Sequence, residues 1–270
     1  MKGTMTILKT AAAALALSLW CTAARAWGGN EHRLMAYLAQ EHLTPNTQAF
    51  LDRYLDQSIT GYASWMDRYR DSPGYEQTTH WHMISVAKDG SFEEDGTGKG
   101  LTKLKTAIDI LSHWRDYNDS TVYINIVYVI HLVPEMHCPA HYYLAELGDA
   151  KEARRRCFQP FTLGDKALKY HGFWDGSITR LYPGITEEKF LEIFDTWTPE
   201  KQKEVSDGTP EDWARDNISR IRQIYDWCDY GQKVDADFLI QHRWLPEEQA
   251  RRAGYRLARL LNDLFDKEGR

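Results

Sequence analysis

The residues best suited to chemistry in this chain are histidines and carboxylates whose spacings would bring them together. His131 and Glu135 are four residues apart, so on a helix they would project from one face. His171 and Asp175 repeat that spacing further along the chain. Imidazole combined with carboxylate is the ligand set that zinc favours in catalytic sites. These four residues are therefore candidate metal ligands.

Two tryptophan-containing segments add further candidate ligands. Asp67 ends the run Ser-Trp-Met-Asp, and His80 and His82 flank Trp81 in the run Thr-His-Trp-His. Taken singly, each such piece is more often a surface pair or a satisfied core residue than a ligand. Their joint occurrence with the paired histidines and carboxylates, and their order along the chain, are what favour metal ligation.

The first 26 residues have the form of a secretory signal peptide. Lysines stand near the front, an apolar run spans residues 10–20, and Ala24 and Ala26 occupy the small positions before the predicted cleavage point. Cleavage there would make Trp27 the first residue of an exported protein, periplasmic or secreted. A free α-amine has a pKa near ~8 and can bind a metal, whereas an amide nitrogen cannot. Trp27 and His32 are therefore candidate ligands at the new N-terminus.

Composition limits the partners that the processed protein can bind. Removing 26 of 270 residues leaves 244, enough for one large domain. The leader carries three basic residues and no acidic ones, so the net charge of −6 becomes −9. Such a chain offers no broad basic surface for a nucleic-acid backbone, and a metal cluster would have to supply the local positive charge. No processed segment approaches ~20 apolar residues, so we expect no membrane span.

The cysteine count leaves two alternatives open. Cys21 lies in the leader, and Cys138, Cys157 and Cys228 follow it. In an oxidising compartment, Cys138 and Cys157 would be the preferred disulfide pair. Cys138 is equally well explained as a small buried hydrophobic residue.

The apolar periodicity predicts a single all-α domain over residues 27–270, with no convincing strand alternation. The Gly- and Asp-rich segment 86–100 reads as an exposed loop. Thr44 is a candidate N-cap, and prolines at 134 and 139 interrupt the longest apolar stretch. The predicted helical segments span residues 31–42, 45–55, 101–114, 121–147, 186–194, 210–228 and 246–265.

The motifs also occur in a recognisable order. The chain presents Trp27-Gly-x-x-x-His32, then Ser-Trp-x-Asp67, then His82-Met-Ile with His80 as the lesser candidate, then the run from His131 through Glu135 to His141, and finally His171-x-x-Trp-Asp175. In this order the segment from residue 27 to about 182 resembles the S1/P1-type zinc nucleases. Those proteins share an all-helical fold with bacterial zinc phospholipases C.

The resemblance implies three zinc ions and a division of ligands among them. One zinc would take Asp67, His82 and His131; a second would take the Trp27 amine and carbonyl with His32; Glu135 would bridge these two; and a third would take His141, His171 and Asp175. Asp67 and Glu135 would be the catalytic carboxylates. The implied reaction is hydrolysis of phosphodiester bonds in single-stranded nucleic acid or 3′-nucleotides by water activated on zinc.

Three positions depart from the usual pattern of that family. Glu135 stands where Asp is usual, and Pro134 stands where Gly is usual. Met83 replaces an aromatic residue that several members stack on the nucleobase. Other aromatic residues that could replace this contact are Trp81, Tyr62, Tyr142 and Tyr143. His137 lies six residues after His131 and is expected to face away from the metals.

Two other functions remain open from the sequence. The first is a phospholipase C that uses the same metals on a lipid headgroup. The second is a secreted, zinc-stabilised binding protein without catalysis. The short separation of Trp27 from His32, and an aspartate at position 175, are nuclease-like by resemblance. The retained set of candidate ligands favours an enzyme over a binding protein.

Overall fold

The computed structural model describes residues 27–92 and 97–266. The predicted signal peptide therefore lies outside the described residues. Within those residues the chain is built from α-helices, connected by short turns and 3-10 segments, and the fold is all-α as expected. None of the described helices has both the length and the apolar character that crossing a membrane requires.

The helices have the following bounds. They are α1 (Gly29–Glu41), α2 (Pro45–Leu51), α3 (Ile59–Tyr62), α4 (Trp65–Tyr69), α5 (Gly100–Ser112), α6 (Asp119–Glu135), α7 (Ala150–Cys157), α8 (Tyr170–Asp175), α9 (Ser177–Leu181), α10 (Glu187–Phe194), α11 (Pro199–Ser206), α12 (Pro210–Ile221), α13 (Ala236–Gln241) and α14 (Trp244–Phe265). Single 3-10 segments cover Glu76–Trp81, Trp114–Asp116, Ala145–Leu147 and Arg222–Tyr225.

Two small sheets accompany the helices, although the sequence shows no convincing strand alternation. The strands are β1 (Ile84–Val86), β2 (Tyr142–Leu144), β3 (Pro160–Leu163), β4 (Lys166–Lys169) and β5 (Lys233–Val234). Strands β1 and β2 pair in parallel, while β3 lies between antiparallel β4 and parallel β5. These strands are two to four residues long, too short for a period-two pattern to emerge from the sequence. The segment predicted as a loop begins inside β1.

Helix α6 lies at the centre of the fold. Apolar residues surround its axis and nearly all are buried, as expected of a helix with protein on every side. The same helix presents His131 and Glu135, both at most 2 % exposed. Burial of the apolar side chains therefore fixes a rigid support for two polar residues that would otherwise be costly to bury.

The two long terminal helices pack tightly against one another. Helix α1 contacts α14, and a Cβ on Gly254 would lie 2.5 Å from the Leu38 side chain. The absence of a side chain at Gly254 thus permits this close approach. The contact holds α1, and with it His32, in a fixed position relative to α6.

Several helix boundaries differ from the sequence prediction for local reasons. The stretch 121–147 is not one helix: α6 ends at Glu135, with Pro134 inside its last turn, and the chain continues through turns into β2. The stretch 210–228 ends as α-helix at Ile221 and continues as a 3-10 turn. Thr44 caps α2 as predicted, accepting a hydrogen bond from the Thr47 amide.

Candidate metal centre

Five separate parts of the chain contribute the predicted ligands to one buried region. The contributing elements are α1, α4, the segment leading into β1, α6 with the turn after it, and α8. Two backbone hydrogen bonds join distant parts: the Ile84 amide donates to the His141 carbonyl at 2.9 Å, and the Gly28 amide donates to the Asp175 carbonyl at 2.9 Å. The first of these bonds continues the β1–β2 pairing, so a sheet that the sequence did not reveal helps to position the site.

The first ligand group joins α1 to α6. Nε2 of His32 lies 3.0 Å from Oε2 of Glu135, and Nε2 of His131 lies 3.7 Å from the same oxygen. The His32 and His131 rings stack with centroids 4.2 Å apart. One ligand atom from each of these three residues lies within 4.8 Å of the others, which is close enough to share an ion.

The second group consists of Asp67, His82 and His131. Nε2 of His82 lies 3.6 Å from Oδ1 of Asp67, and an Arg70 nitrogen lies 3.6 Å from the same oxygen. His131 thus belongs to both groups. His80 is exposed and belongs to none of the three groups.

The third group surrounds Asp175 on α8. Nε2 of His141 lies 3.2 Å from Oδ1 of Asp175, and Nδ1 of His171 lies 2.8 Å from Oδ2. The Cys138 thiol also lies here, with Sγ 3.4 Å from Oδ1 of Asp175. The other nitrogen of His141 is 3.1 Å from Oε1 of Glu135, so His141 connects the third group to the first.

Backbone carbonyls fix the orientation of two of the histidines. Nδ1 of His131 donates to the Ala63 carbonyl at 2.8 Å, and Nδ1 of His82 donates to the Thr78 carbonyl at 3.0 Å. With Nδ1 as the donor, Nε2 carries the free lone pair that a metal needs. Such a bond to the ring nitrogen that does not face the metal is the usual support of a ligating histidine.

Buried polar atoms without good hydrogen bonds indicate that this region could hold metal ions. Within the described residues, several buried atoms at the site have no hydrogen-bond partner: both carboxylate oxygens of Asp67, Nε2 of His82 and His131, and Nδ1 of His32. Four more face one another without hydrogen-bond geometry: Oε1 of Glu135 lies 3.1 Å from Nδ1 of His141, and Oδ2 of Asp175 lies 2.8 Å from Nδ1 of His171. Buried polar atoms normally find partners, because leaving them unpaired is costly. Imidazole nitrogens and carboxylate oxygens that all face one region fit divalent cations.

Burial also sets the protonation of these groups. It lowers the pKa of His82 and His131, so both imidazoles are neutral near pH 7, as metal binding requires. Burial raises the pKa of Asp67, and the Glu135 charge raises it further. For Glu135 burial again acts to raise the pKa, but the charges and hydrogen bonds of His141, His32 and His82 together outweigh it, and the pKa lies well below its usual range.

Trp27 lies beside this region at the start of the described chain. Its side chain is fully buried, its indole N–H has no hydrogen-bond partner, and the adjacent Gly28 is bonded to Asp175. The nine residues predicted from the sequence are therefore brought to one part of the fold. Their roles as ligands stay predictions.

His137 faces away from the centre, as predicted. Its Nδ1 donates to the Val133 carbonyl at 2.7 Å, and its Nε2 accepts from Arg256 at 2.9 Å. The preferred Cys138–Cys157 disulfide was wrong, because all three described cysteines are free. The Cys157 thiol contacts the Ala140 carbonyl instead, and Cys138 is buried, as the alternative required.

Residues 27–266 match the family described as S1/P1 Nuclease. The chain belongs to the S1/P1 nuclease family. It is similar to Nuclease S1 of Aspergillus oryzae (strain ATCC 42149 / RIB 40), with 23% identity over 269 residues that cover 87% of this chain and 91% of the relative. Membership accounts for the observed architecture, since the S1/P1 family has the all-α phospholipase C/P1 nuclease fold.

Two residues of the centre escaped the sequence analysis. The Cys138 thiol belongs to the third group, although the sequence suggested only a disulfide or a core role for it. Its position midway between the candidate ligands Glu135 and His141 could have marked it as a further candidate ligand. Arg70, one helical turn after Asp67, lies beside that carboxylate and could have been found from the same i, i+3 spacing.

Proposed function

We propose that this member of the S1/P1 nuclease family is an exported, zinc-dependent hydrolase of phosphodiester bonds in single-stranded nucleic acid or 3′-nucleotides. The observation that carries the proposal is the convergence of three adjoining ligand groups in one buried region. They are linked through shared residues, His131 between the first two and His141 between the first and third. Groups that share residues in this way could hold several metal ions close enough together to act on one phosphate.

Three zinc ions would be held by the residues already described. The proposed ligands are Trp27, His32, Asp67, His82, His131, Glu135, His141, His171 and Asp175. When bound, zinc supplies Lewis-acid stabilisation of phosphate oxygens and lowers the pKa of water to near neutrality. The cluster would also give this acidic protein the local positive charge that a phosphate requires.

In this proposal two carboxylates, Glu135 and Asp67, position the metal ions and the attacking water. Glu135 directs one oxygen toward His32 and His131 and the other toward His141, so it spans two groups. Asp67 keeps both oxygens free of hydrogen bonds, while the Arg70 guanidinium 3.6 Å away favours its charged form. We assign to the Asp67 carboxylate the orientation of the attacking water and acceptance of its proton.

Among the aromatic residues considered for contact with a nucleobase, Trp81 is the best placed. It is partly exposed and lines a small cavity together with His82, Glu135 and His141. Tyr62 and Tyr142 are buried and bonded within the core, and Met83 is buried as well. Stacking on such a ring would stabilise the bound substrate by about 1–3 kcal/mol per base.

Export and processing are part of the same proposal. The first 26 residues have the composition of a signal peptide, and the family match begins at Trp27, the residue that cleavage would expose. Residues 27–270 would then form the single processed domain, periplasmic or secreted. Completion of the metal centre would follow removal of the leader.

The test is metal analysis of the processed protein, followed by assays of the same sample on several substrates. We expect about three zinc ions per chain and hydrolysis of single-stranded DNA, RNA or a 3′-mononucleotide. A preference for phosphatidylcholine would indicate a phospholipase C instead. Bound zinc without turnover of any phosphoester would indicate a binding protein, and one ion or fewer would contradict the trinuclear centre.

A further inference from the structure

The Cys138 thiol lies inside the third ligand group and has no role in the proposed reaction. It is fully buried, follows the end of α6 by three residues, and precedes His141 by three. The Cys138 amide donates to the Glu135 carbonyl, and the His141 amide donates to the Cys138 carbonyl, each at 3.1 Å. These two turns bring the side chains of all three residues to the same side of the chain.

We propose that Cys138 is a ligand of the third metal ion and completes a four-donor site with His141, His171 and Asp175. This inference rests on the proposed metal centre but adds a donor to it. A sulfur donor distinguishes this site from the other two groups, which offer only nitrogen and oxygen within the described residues.

The distances among the donor atoms of Cys138, His141 and Asp175 fit a shared ion, and one ligand atom of each lies within 4.8 Å of the other two. With zinc–sulfur and zinc–oxygen bonds of about 2.3 and 2.0 Å, two donors at a tetrahedral angle lie about 3.5 Å apart. The observed separation of Cys138 Sγ from Asp175 Oδ1 is 3.4 Å. A nitrogen and an oxygen donor would lie about 3.3 Å apart, and the His141 Nε2 to Asp175 Oδ1 distance is 3.2 Å.

The atoms around the thiol supply further support. Oδ2 of Asp175 and Nδ1 of His171 lie 2.8 Å apart without hydrogen-bond geometry, and both residues are at least 95 % buried. Without an ion, the Cys138 S–H contacts Oδ1 of Asp175. On coordination the S–H bond breaks, a metal–sulfur bond forms, and the proton is released to solvent.

Four protein donors would close this site, as in structural zinc sites, whereas the other two groups keep positions open. We therefore expect the third ion to be held more tightly than the others. Its task would be to anchor the turn after α6 to α8 and to present positive charge to the phosphate. The cysteine would set the affinity of this ion, while the other two groups carry the reaction.

Substitution of cobalt for zinc provides a test that does not depend on turnover. Cobalt bound to a thiolate has a sulfur-to-metal charge-transfer band in the near ultraviolet, and cobalt bound by nitrogen and oxygen alone does not. We expect the band in the processed wild-type protein, its loss in Cys138→Ser and Cys138→Ala, and its persistence in the control variants Cys157→Ser and Cys228→Ser. Competition with a chelator should release one ion from Cys138→Ser at least about 10-fold more readily than from wild type.

The outcomes separate this inference from the proposed function. Cobalt uptake without the band in wild type, or a band that survives in both Cys138 variants, overturns the sulfur ligand and leaves the metal centre intact. No cobalt or zinc uptake by the wild-type protein overturns the metal centre and the inference with it. Far-ultraviolet circular dichroism establishes that each variant is folded, and the wild-type spectrum decides the question even where a variant is not.

Discussion

Oε2 of Glu135 lies 3.0 Å from Nε2 of His32, although 103 residues separate them in the chain. The longer side chain of glutamate thus reaches the α1 histidine from the last residue of α6, while its other oxygen is 3.1 Å from Nδ1 of His141. The sequence left open whether an acid with an extra methylene could bridge at this position. Pro134 precedes it in the last turn of α6, and the two carboxylate oxygens face the first and third ligand groups; the bridge between two zinc ions stays a prediction.

Glu135 can be tested with two substitutions of different character. Glu135→Gln keeps the shape of the side chain but removes its charge, so we expect the variant to lose at least one zinc ion. Loss of a partner that merely supports a metal ligand lowers metal affinity or activity by about 10–100-fold, so loss of the ligand itself should lower activity by more than about 100-fold. Glu135→Asp keeps the charge on a shorter chain and should retain more metal. Metal content and turnover are measured together, with the exposed Glu41→Gln as control. Full metal content in Glu135→Gln would rule out the bridge.

Replacement of Asp67 by Asn tests its proposed role with little change of volume. An amide cannot accept the proton of the attacking water, and it binds zinc poorly, so we expect turnover to fall by about 100-fold or more. Circular dichroism should show an intact helical fold, because the side chain makes no hydrogen bond that the structure needs. The exposed neighbour Asp71→Asn is the matched control. An unchanged rate in Asp67→Asn would remove this residue from the site.

The α-amine of Trp27 can be tested by moving the N-terminus. A protein that starts at Ala26 carries an amide at Trp27, and we expect it to bind one zinc fewer and to lose activity, because only the free amine has a lone pair for the metal. The protein that starts at Trp27 is the control. Mass spectrometry defines each N-terminus, and metal analysis with turnover gives the result. Equal metal content in the two proteins would show that the amine is not a ligand.

The sequence predicted the helices whose stability depends on local periodicity and the ligands whose spacing is local. Helices α1, α5 and α14 follow from apolar repeats, and His131 with Glu135 follows from the i, i+4 relationship. The pairing of β1 with β2 could not be predicted from the sequence, because it joins segments far apart in the chain and each strand contributes only three residues. Cys138 was missed for a related reason: its partner Asp175 is 37 residues away, and no spacing rule connects them.

His137 provides a pH prediction that is independent of the metals. Burial and the positive charge of Arg256 lower its pKa well below the usual value, and its hydrogen bonds to Val133 and Arg256 require the neutral ring. The unfolded chain binds this proton near pH ~6.5 and the folded protein does not, so its contribution to stability is present above that pH and is lost as the pH falls. From about pH 7.5 to about pH 5.5 the loss is on the order of 1 kcal/mol.

The variant His137→Gln isolates this contribution. Glutamine cannot titrate, so the free energy of unfolding of this variant should fall less than that of wild type over the same interval, by on the order of 1 kcal/mol. Urea unfolding of both metal-free proteins at the two pH values gives the difference. The constant cost of the smaller side chain cancels, since it is the same at both pH values, and the buried ligands His82 and His131 titrate alike in both proteins. Equal pH dependence of the two proteins would mean that His137 also takes up a proton in the folded state.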